Sequence, residues 1–159
     1  YQQVLLDNES RKYVTINTHL GLFQYTRLPY GVASTPAVFQ QCMDKILVGL
    51  KGVGCYLEDL IITGPDDVQH LDNLNACLKR LDEFGIKLKK EKCSFLQSSI
   101  EYLGFMVDAV GIHPTTSKVQ AILNAPRPKD ASELQSLLGL VNYYRKFIPN
   151  MSSLAAPMH

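Results

Sequence analysis

Residues 52–64 read GVGCYLEDLIITG, and how this stretch is read decides the fold. Apolar residues run up to Tyr56 and Leu57. Two adjacent carboxylates follow, Glu58 and Asp59, and Leu60, Ile61 and Ile62 resume the run before Gly64-Pro65 stops it. The pattern predicts an antiparallel hairpin built from about 53–57 and 60–64, with the acidic pair at its turn. The simplest account of the pair is solvation, because turns are wet and favour Asp. Glu is a poor turn residue, however, and the flanking strands are strongly apolar, which points to a hairpin buried in a sheet. Adjacent carboxylates at such a tip suit a hard divalent cation. Such ions want oxygen ligands, and in pairs they stabilise both oxygens of an in-line phosphoryl displacement.

The sequence around the hairpin alternates between strands and helices. Residues 1–6 look like the end of a strand, 7–10 (DNES) are turn-forming, and 11–18 with 21–28 form a second hairpin. Pro29-Tyr30-Gly31 breaks the pattern. Ser34 and Thr35 can then cap a helix that has Pro36 in its first turn and runs over about 35–48. Val38, Phe39, Met43 and Ile46 lie near one face of that helix and are expected to pack on the sheet. Residues 66–84 form an amphipathic helix with Val68, Leu71, Leu74, Leu78 and Leu81 on one face, ended by Gly85. Three short strands are expected near 86–89, 93–96 and 100–107. After Gly111 the chain turns helical, with a short helix in TTSKVQAILNA, a break at PRP and a longer helix in SELQSLLGLVNYYRKFI. Residues 1–111 therefore read as a mixed α+β domain and 112–159 as a small helical lobe.

The composition narrows the function classes. The 159 residues are 46% hydrophobic and 19% charged, which is enough apolar material for a core. A net charge of +1 gives no global positive field, so nucleic-acid binding would have to rest on local patches. The densest basic cluster is Lys87, Lys89, Lys90 and Lys92, a run that in most proteins is a solvated face. Cys42, Cys55, Cys77 and Cys93 form no C-x-x-C pair and read as thiols in a reducing, intracellular compartment. No apolar run is long enough to span a membrane, and no membrane partner is expected. The chain opens on Tyr1 without Met or a signal peptide and stops at His159, so both ends read as cuts through a longer polypeptide.

Five stretches occur in order: RLPYGVASTPAVFQQCMD (27–44), CYLEDLIITG (55–64), GIKLKKEKCSF (85–95), EYLGFMVDAVGIHP (101–114) and LLGLVNYYRKFIPNMSSLAAPM (137–158). Each alone is a weak signal. As an ordered set covering essentially the whole chain, they resemble the reverse transcriptase, an RNA-directed DNA polymerase, of gypsy-class LTR retrotransposons. The resemblance implies an α+β palm with partial fingers over 1–111, an antiparallel sheet packed on helices, and a helical thumb over 112–159. It implies Mg²⁺ or Mn²⁺ as cofactor and an RNA or DNA template-primer and deoxynucleoside triphosphates as partners. It also implies flanking protease, RNase H and integrase domains of a polyprotein, and a cytoplasmic or virus-like-particle location. Tyr1 falls where the family has the aromatic gate that screens the nucleotide sugar. Leu28, Pro29, Tyr30 and Gly31, with Ser34, Pro36, Phe39 and Gln40, match the motif that cradles nucleotide and template. Tyr56 to Asp59 match the aromatic-x-Asp-Asp catalytic turn, which makes Glu58 and Asp59 the catalytic and metal-ligating pair. Lys87 or Lys89 matches the motif whose lysine approaches the triphosphate. Tyr102, Leu103 and Gly104 resemble the primer grip. In any fold, Phe39 and Leu103 would also serve as core.

Two departures bear on activity. The family's remaining catalytic Asp falls five residues before the gate, ahead of Tyr1. The turn also carries Glu58 where the family has Asp. Glu is one methylene longer, which displaces its carboxylate by roughly 1 Å, whereas Mg²⁺ demands near-ideal octahedral geometry at about 2.0–2.1 Å. A misplacement of about 1 Å can cost on the order of 10²-fold in rate. The reading is thus a fragment of a retrotransposon polymerase that is inactive as this chain. The alternative is a domesticated, non-catalytic module derived from a reverse transcriptase that binds nucleic acid or protein.

Overall fold

A computed structural model describes residues 1–158 and divides into two compact units, Tyr1–Cys93 and Ser94–His159. Residue 159, the last of the expected helical lobe, lies outside the described residues.

The first unit begins differently from expectation. Tyr1–Leu6 is not a strand. It is irregular backbone that meets 26–28 through one bridge, Leu5 to Arg27, with the Leu6 N–H donating to Thr26 O at 3.0 Å and the Leu28 N–H to Val4 O at 2.9 Å. Tyr1, Val4 and Leu6 pack against the core, so this segment follows the core and does not line a sheet edge. The expected turn at 7–10 is a short helix, α1 (Asn8–Arg11), because Asp7 caps it. Its Oδ1 accepts from the Ser10 N–H and its Oδ2 from the Ser10 hydroxyl, both at 2.8 Å. The second hairpin is shorter than expected, β1 (Thr15–Thr18) paired with β2 (Gly21–Gln24), since a 3₁₀ turn takes up Lys12–Val14.

α2 (Thr35–Leu47) starts after Ser34, with Pro36 in its first turn as expected. The Ser34 side chain makes no capping bond. The buried Thr35 hydroxyl instead donates to Pro29 O at 2.9 Å, tying the helix start to the preceding loop. Phe39, Met43, Ile46 and Leu47 are buried with Leu28, whereas Val38, expected in this face, is exposed. β3 (Val53–Tyr56) and β4 (Asp59–Ile62) form the expected antiparallel hairpin.

α3 (Asp67–Glu83) follows, capped by Asp66 Oδ1, which accepts from the Gln69 N–H at 2.8 Å. It ends in a Schellman motif. The Gly85 N–H donates to Asp82 O and the Ile86 N–H to Leu81 O, with Gly85 at φ 68°, a conformation that disfavours side chains bearing Cβ. The buried stripe of α3 is Asn73, Cys77 and Leu81, and of the predicted face only Leu81 is fully buried. Val68, Leu71 and Leu78 are exposed. The reason is polar: the Asn73 amide donates to Thr63 O at 2.8 Å and accepts from Gln69 at 3.0 Å, which turns the helix so that this residue faces inward.

Neither the strand expected at 86–89, in the first unit, nor the one at 93–96 forms, and Lys90–Lys92 makes one 3₁₀ turn. In the second unit, the run expected as one strand over 100–107 is two, β5 (Ser99–Tyr102) and β6 (Phe105–Asp108), and β7 (Ile112–Pro114) adds to β6. The break is at Leu103 and Gly104, whose φ values of 51° and 79° are what a two-residue hairpin turn with both residues left-handed requires. The helices are α4 (Thr116–Leu123), α5 (Ala131–Tyr143) and α6 (Met151–Ala155). Asp130 caps α5 by accepting from the Glu133 N–H, and Glu133 reaches back to the Lys129 N–H, both at 2.8 Å. α5 ends at Tyr143, before the expected limit, where Tyr143, Tyr144 and Phe147 gather around Phe105 with ring centroids 5.5–6.0 Å away. Lys146 Nζ lies 4.1 Å from the Phe105 ring centroid, within cation–π range.

Two outcomes follow. Leu81, only 2% exposed, should lose about 2–5 kcal/mol of stability on Leu81→Ala, measured by urea unfolding. Asp108 accepts from the Val110 and Gly111 N–H groups and lies 3.1 Å from His113 Nε2; these bonds, the Val110 one foremost, lower its carboxyl pKa. A lowered folded-state pKa gives stability that is present above the ordinary carboxyl range and is lost as pH falls through the lowered value. Asp108→Asn should therefore flatten the acid limb of the melting temperature measured between about pH 5 and pH 2.

Candidate active site

The pairing of Tyr56 with Asp59 leaves Leu57 and Glu58 as the two-residue turn of the β3–β4 hairpin. Asp59 therefore opens β4 and is fixed by the ladder, whereas Glu58 stands in the turn. Leu57 has φ 53°, at the turn position where one common hairpin type takes glycine. The turn is braced from outside. The Leu57 N–H donates to Gln40 Oε1 at 2.6 Å, and Gln40 Nε2 donates to Asp44 Oδ1 at 2.8 Å and to Cys55 O at 3.3 Å. The Cys55 thiol lies 3.4 Å from Leu57 O. At the other end of the hairpin, the Thr63 N–H donates to Gly52 O at 2.8 Å, and Asn73 closes on Thr63 O.

Tyr1 is brought to this tip. Its backbone nitrogen donates to Glu58 Oε1 at 3.2 Å, and its ring packs against Tyr30 and Phe39 with both centroids 5.1 Å away. Its side chain is only 14% exposed, while Glu58 is 53% exposed and open to solvent. Leu28 and Pro29 are buried beneath, Tyr30 is exposed, and Gly31 takes φ 85° at the bend into α2. The structure thus brings together Tyr1, Tyr30, Phe39, Gln40, Glu58 and Asp59 in the first unit.

Lys87 and Lys89 are exposed on irregular backbone. Gln3 holds Lys87 by its main chain, accepting its N–H at 2.6 Å and donating to its carbonyl at 3.0 Å. Gln2, Gln3, Arg27, Gly85 and Lys87 line a shallow cavity of about 230 Å³. Tyr102, Leu103 and Gly104 belong to the second unit, where Tyr102 ends β5 and Leu103, 41% exposed, and Gly104 form the β5–β6 turn.

Among the described residues, no three carboxylate, histidine or cysteine side chains cluster to hold a metal. Two adjacent carboxylates do fit Mg²⁺ in one common mode, in which the ion keeps several waters and takes one or two protein carboxylates plus substrate phosphates. Glu58 and Asp59 are the residues that would hold it. Burial is the main cause that raises the Cys55 thiol pKa, with the negative charges of Asp44, Cys77 and Asp59 adding to it; Cys77 is raised by burial alone.

Sequence reasoning misses Asp44 and Arg27. Asp44 stands four residues after Gln40, the helical spacing that puts both on one face, and this spacing is the available signal. Arg27 Nη1 donates to Gln2 O at 3.3 Å and Gln3 O at 3.2 Å, bonds that no sequence pattern announces.

This combination of a palm-like α+β unit and a hairpin that presents paired carboxylates is the arrangement of a nucleic-acid polymerase of the reverse-transcriptase type. The family model described as reverse transcriptase (RNA-dependent DNA polymerase) matches residues 1–107. The chain is 38% identical to the retrovirus-related Pol polyprotein from transposon 297 of Drosophila melanogaster, over 99% of this chain and 15% of that protein. It is 32% identical to the Pol polyprotein from transposon gypsy of the same organism, over 99% of this chain and 16% of that one. A foamy viral protease-reverse transcriptase solved in complex with ds DNA superposes with a TM-score of 0.83 at 28% identity, over 97% of this chain and 27% of that chain. The chain belongs to the reverse transcriptase (RNA-dependent DNA polymerase) family, and its α+β fold is of the reverse-transcriptase palm type. It spans about 15% of the length of these transposon polyproteins. No helix among the described residues is long and apolar enough to cross a membrane.

The raised thiol pKa sets one expectation. Iodoacetamide should alkylate Cys55 and Cys77 more slowly at pH 7.5 than an unstructured cysteine peptide, with rates that climb only above the ordinary thiol range. Peptide mass spectrometry over a time course measures this.

Proposed function

We propose that this chain is the palm and thumb portion of a retrotransposon RNA-directed DNA polymerase, with residues 1–111 as palm and partial fingers and 112–159 as thumb. The observation that carries the reading is the hairpin turn that sets Glu58 and Asp59 side by side next to the packed ring of Tyr1. In this reading Glu58 and Asp59 hold Mg²⁺ or Mn²⁺, which when bound supplies charge stabilisation to nucleotidyl transfer. Tyr1 limits the space beside the nucleotide sugar. Leu28, Pro29, Tyr30, Gly31 and Gln40 shape the nucleotide side, and Lys87 or Lys89 meets the triphosphate. Tyr102, Leu103 and Gly104 hold the primer end. The partners are a template-primer, deoxynucleoside triphosphates and the protease, RNase H and integrase domains of a polyprotein, in an intracellular setting.

Glu58 argues against turnover by this chain. Its extra methylene displaces one of the two carboxylates at the turn, and two-metal chemistry tolerates little misplacement. The same residue favours a second reading, a non-catalytic module that keeps the nucleic-acid cleft.

The chain should bind a primer-template duplex weakly at about 50 mM salt, with affinity falling as salt rises, because neutralising phosphates releases counterions. Replacing Lys87 and Lys89 together with Glu should make that salt dependence shallower, by roughly one power of salt for each phosphate that is no longer neutralised. Fluorescence anisotropy reads both effects, and binding indifferent to salt would sink the cleft assignment. Primer extension with Mg²⁺ or Mn²⁺ should be undetectable; template-dependent extension abolished by Asp59→Ala would instead make the chain a working polymerase.

A further inference from the structure

Gln40 and Asp44 lie one helical turn apart on α2, and the Gln40 amide reaches from that helix to the β3–β4 turn. The partners fix which way the amide faces. The Leu57 N–H can only donate, so it meets Oε1; the Cys55 carbonyl and the Asp44 carboxylate accept, so they meet Nε2. Both Nε2 protons are thereby used, and Oε1 holds a short bond. The amide has little capacity left for a ligand.

The bond to Leu57 falls on the residue at φ 53°, a conformation that costs an L-residue other than glycine roughly 1–2 kcal/mol. Leu57 directly precedes Glu58, so its backbone angle decides where the Glu58 side chain leaves the turn and how Tyr56 meets Asp59. Nothing else among the described hydrogen bonds holds the Leu57 N–H.

We propose that Gln40, oriented by Asp44, is the positioning residue of the Glu58–Asp59 pair, a splint that holds the left-handed turn and with it the spacing of the two carboxylates. The inference rests on reading that pair as the cation-holding group. It departs from a direct nucleotide contact by Gln40.

The test uses the full 159-residue chain with Mn²⁺ as probe, its binding followed by electron paramagnetic resonance, and amide exchange at Leu57 followed by NMR. Gln40→Met keeps length and removes the hydrogen bonds. It should speed Leu57 exchange about fivefold or more, the effect of removing one hydrogen bond, and weaken Mn²⁺ binding by a similar factor. Asp44→Asn keeps an oxygen facing Nε2 and should stay within about twofold of wild type on both readouts. Tyr144→Ala, a buried position of the second unit, should lower the melting temperature without weakening Mn²⁺ binding. Unchanged Leu57 exchange in Gln40→Met overturns the proposal, and so does faster exchange with undiminished Mn²⁺ affinity. If the wild-type chain binds no Mn²⁺, or binds it equally well as Asp59→Ala, the cation reading of the pair fails. The Leu57 exchange rates of Gln40→Met then decide the splint alone.

Discussion

A two-residue hairpin turn with a leucine in the left-handed region is the constraint around which the first unit is arranged. Leu57 at φ 53° is disfavoured where glycine would be at ease, and such strain persists only where surrounding structure over-determines it. Here the surroundings are explicit. The helix α2 supplies Gln40 to the turn, and α3 supplies Asn73 to the hairpin's base. Phe39, Met43, Leu47, Cys77 and Leu81 form the core between those helices and the underside of the hairpin. Polar bonds at the two ends of the hairpin fix its position, and apolar packing between them supplies the favourable free energy. A hairpin of four-residue strands could not hold a strained tip in water without this support.

The same division explains what can be read from the sequence. The hairpin, α2 and the end of α3 are legible because local chemistry alone specifies them: an apolar run interrupted by charge, Pro36 after Ser34 and Thr35, and Gly85 after a helical period. What is not legible depends on long-range polar bonds. Hydrophobic periodicity misplaces the buried face of α3 because it weights Val68, Leu71 and Leu78, whereas the Asn73 bond to Thr63 turns the helix about one position away. Periodicity has no way to anticipate a buried asparagine. The segment 100–107 reads as continuous because Leu103 is a good strand residue, and the positive φ it adopts is visible only once the β5–β6 register is known.

Of the candidate site, residue identities are legible in the sequence and their division of labour is not. Tyr1 is far in sequence from Glu58 and Asp59, and the structure puts the Tyr1 backbone in hydrogen-bond reach of Glu58. Family resemblance can point to each of these positions without saying that Gln40 spends its amide on the turn and on Asp44. In the second unit, the left-handed Leu103 repeats the device seen at Leu57: a leucine held at the tip of a tight hairpin, with a cluster of aromatic rings around Phe105 at the start of β6. In each case a side chain that could have been buried in a strand is lifted to the turn, where it is partly open to solvent or to a ligand.

On the proposed reading of the turn as a catalytic one, the place of Glu58 in this framework matters more than its extra methylene. Asp59 is a strand residue paired with Tyr56, so the ladder dictates its carboxylate's origin. Glu58 is a turn residue, half exposed. The extra methylene therefore falls on the carboxylate with more rotational freedom and fewer backbone constraints. Under the proposed metal role, that freedom would let Glu58 still offer an oxygen to a cation that keeps most of its own waters. It also raises the entropy lost when the side chain is fixed in one geometry. Loose capture of a cation tolerates such a loss, and in-line phosphoryl transfer, which needs both oxygens held to within a fraction of an ångström, does not. On the proposed reading of the pair as a metal site, a chain with this turn keeps the means to attract a metal-bound phosphate and gives up most of the geometry that would make it react.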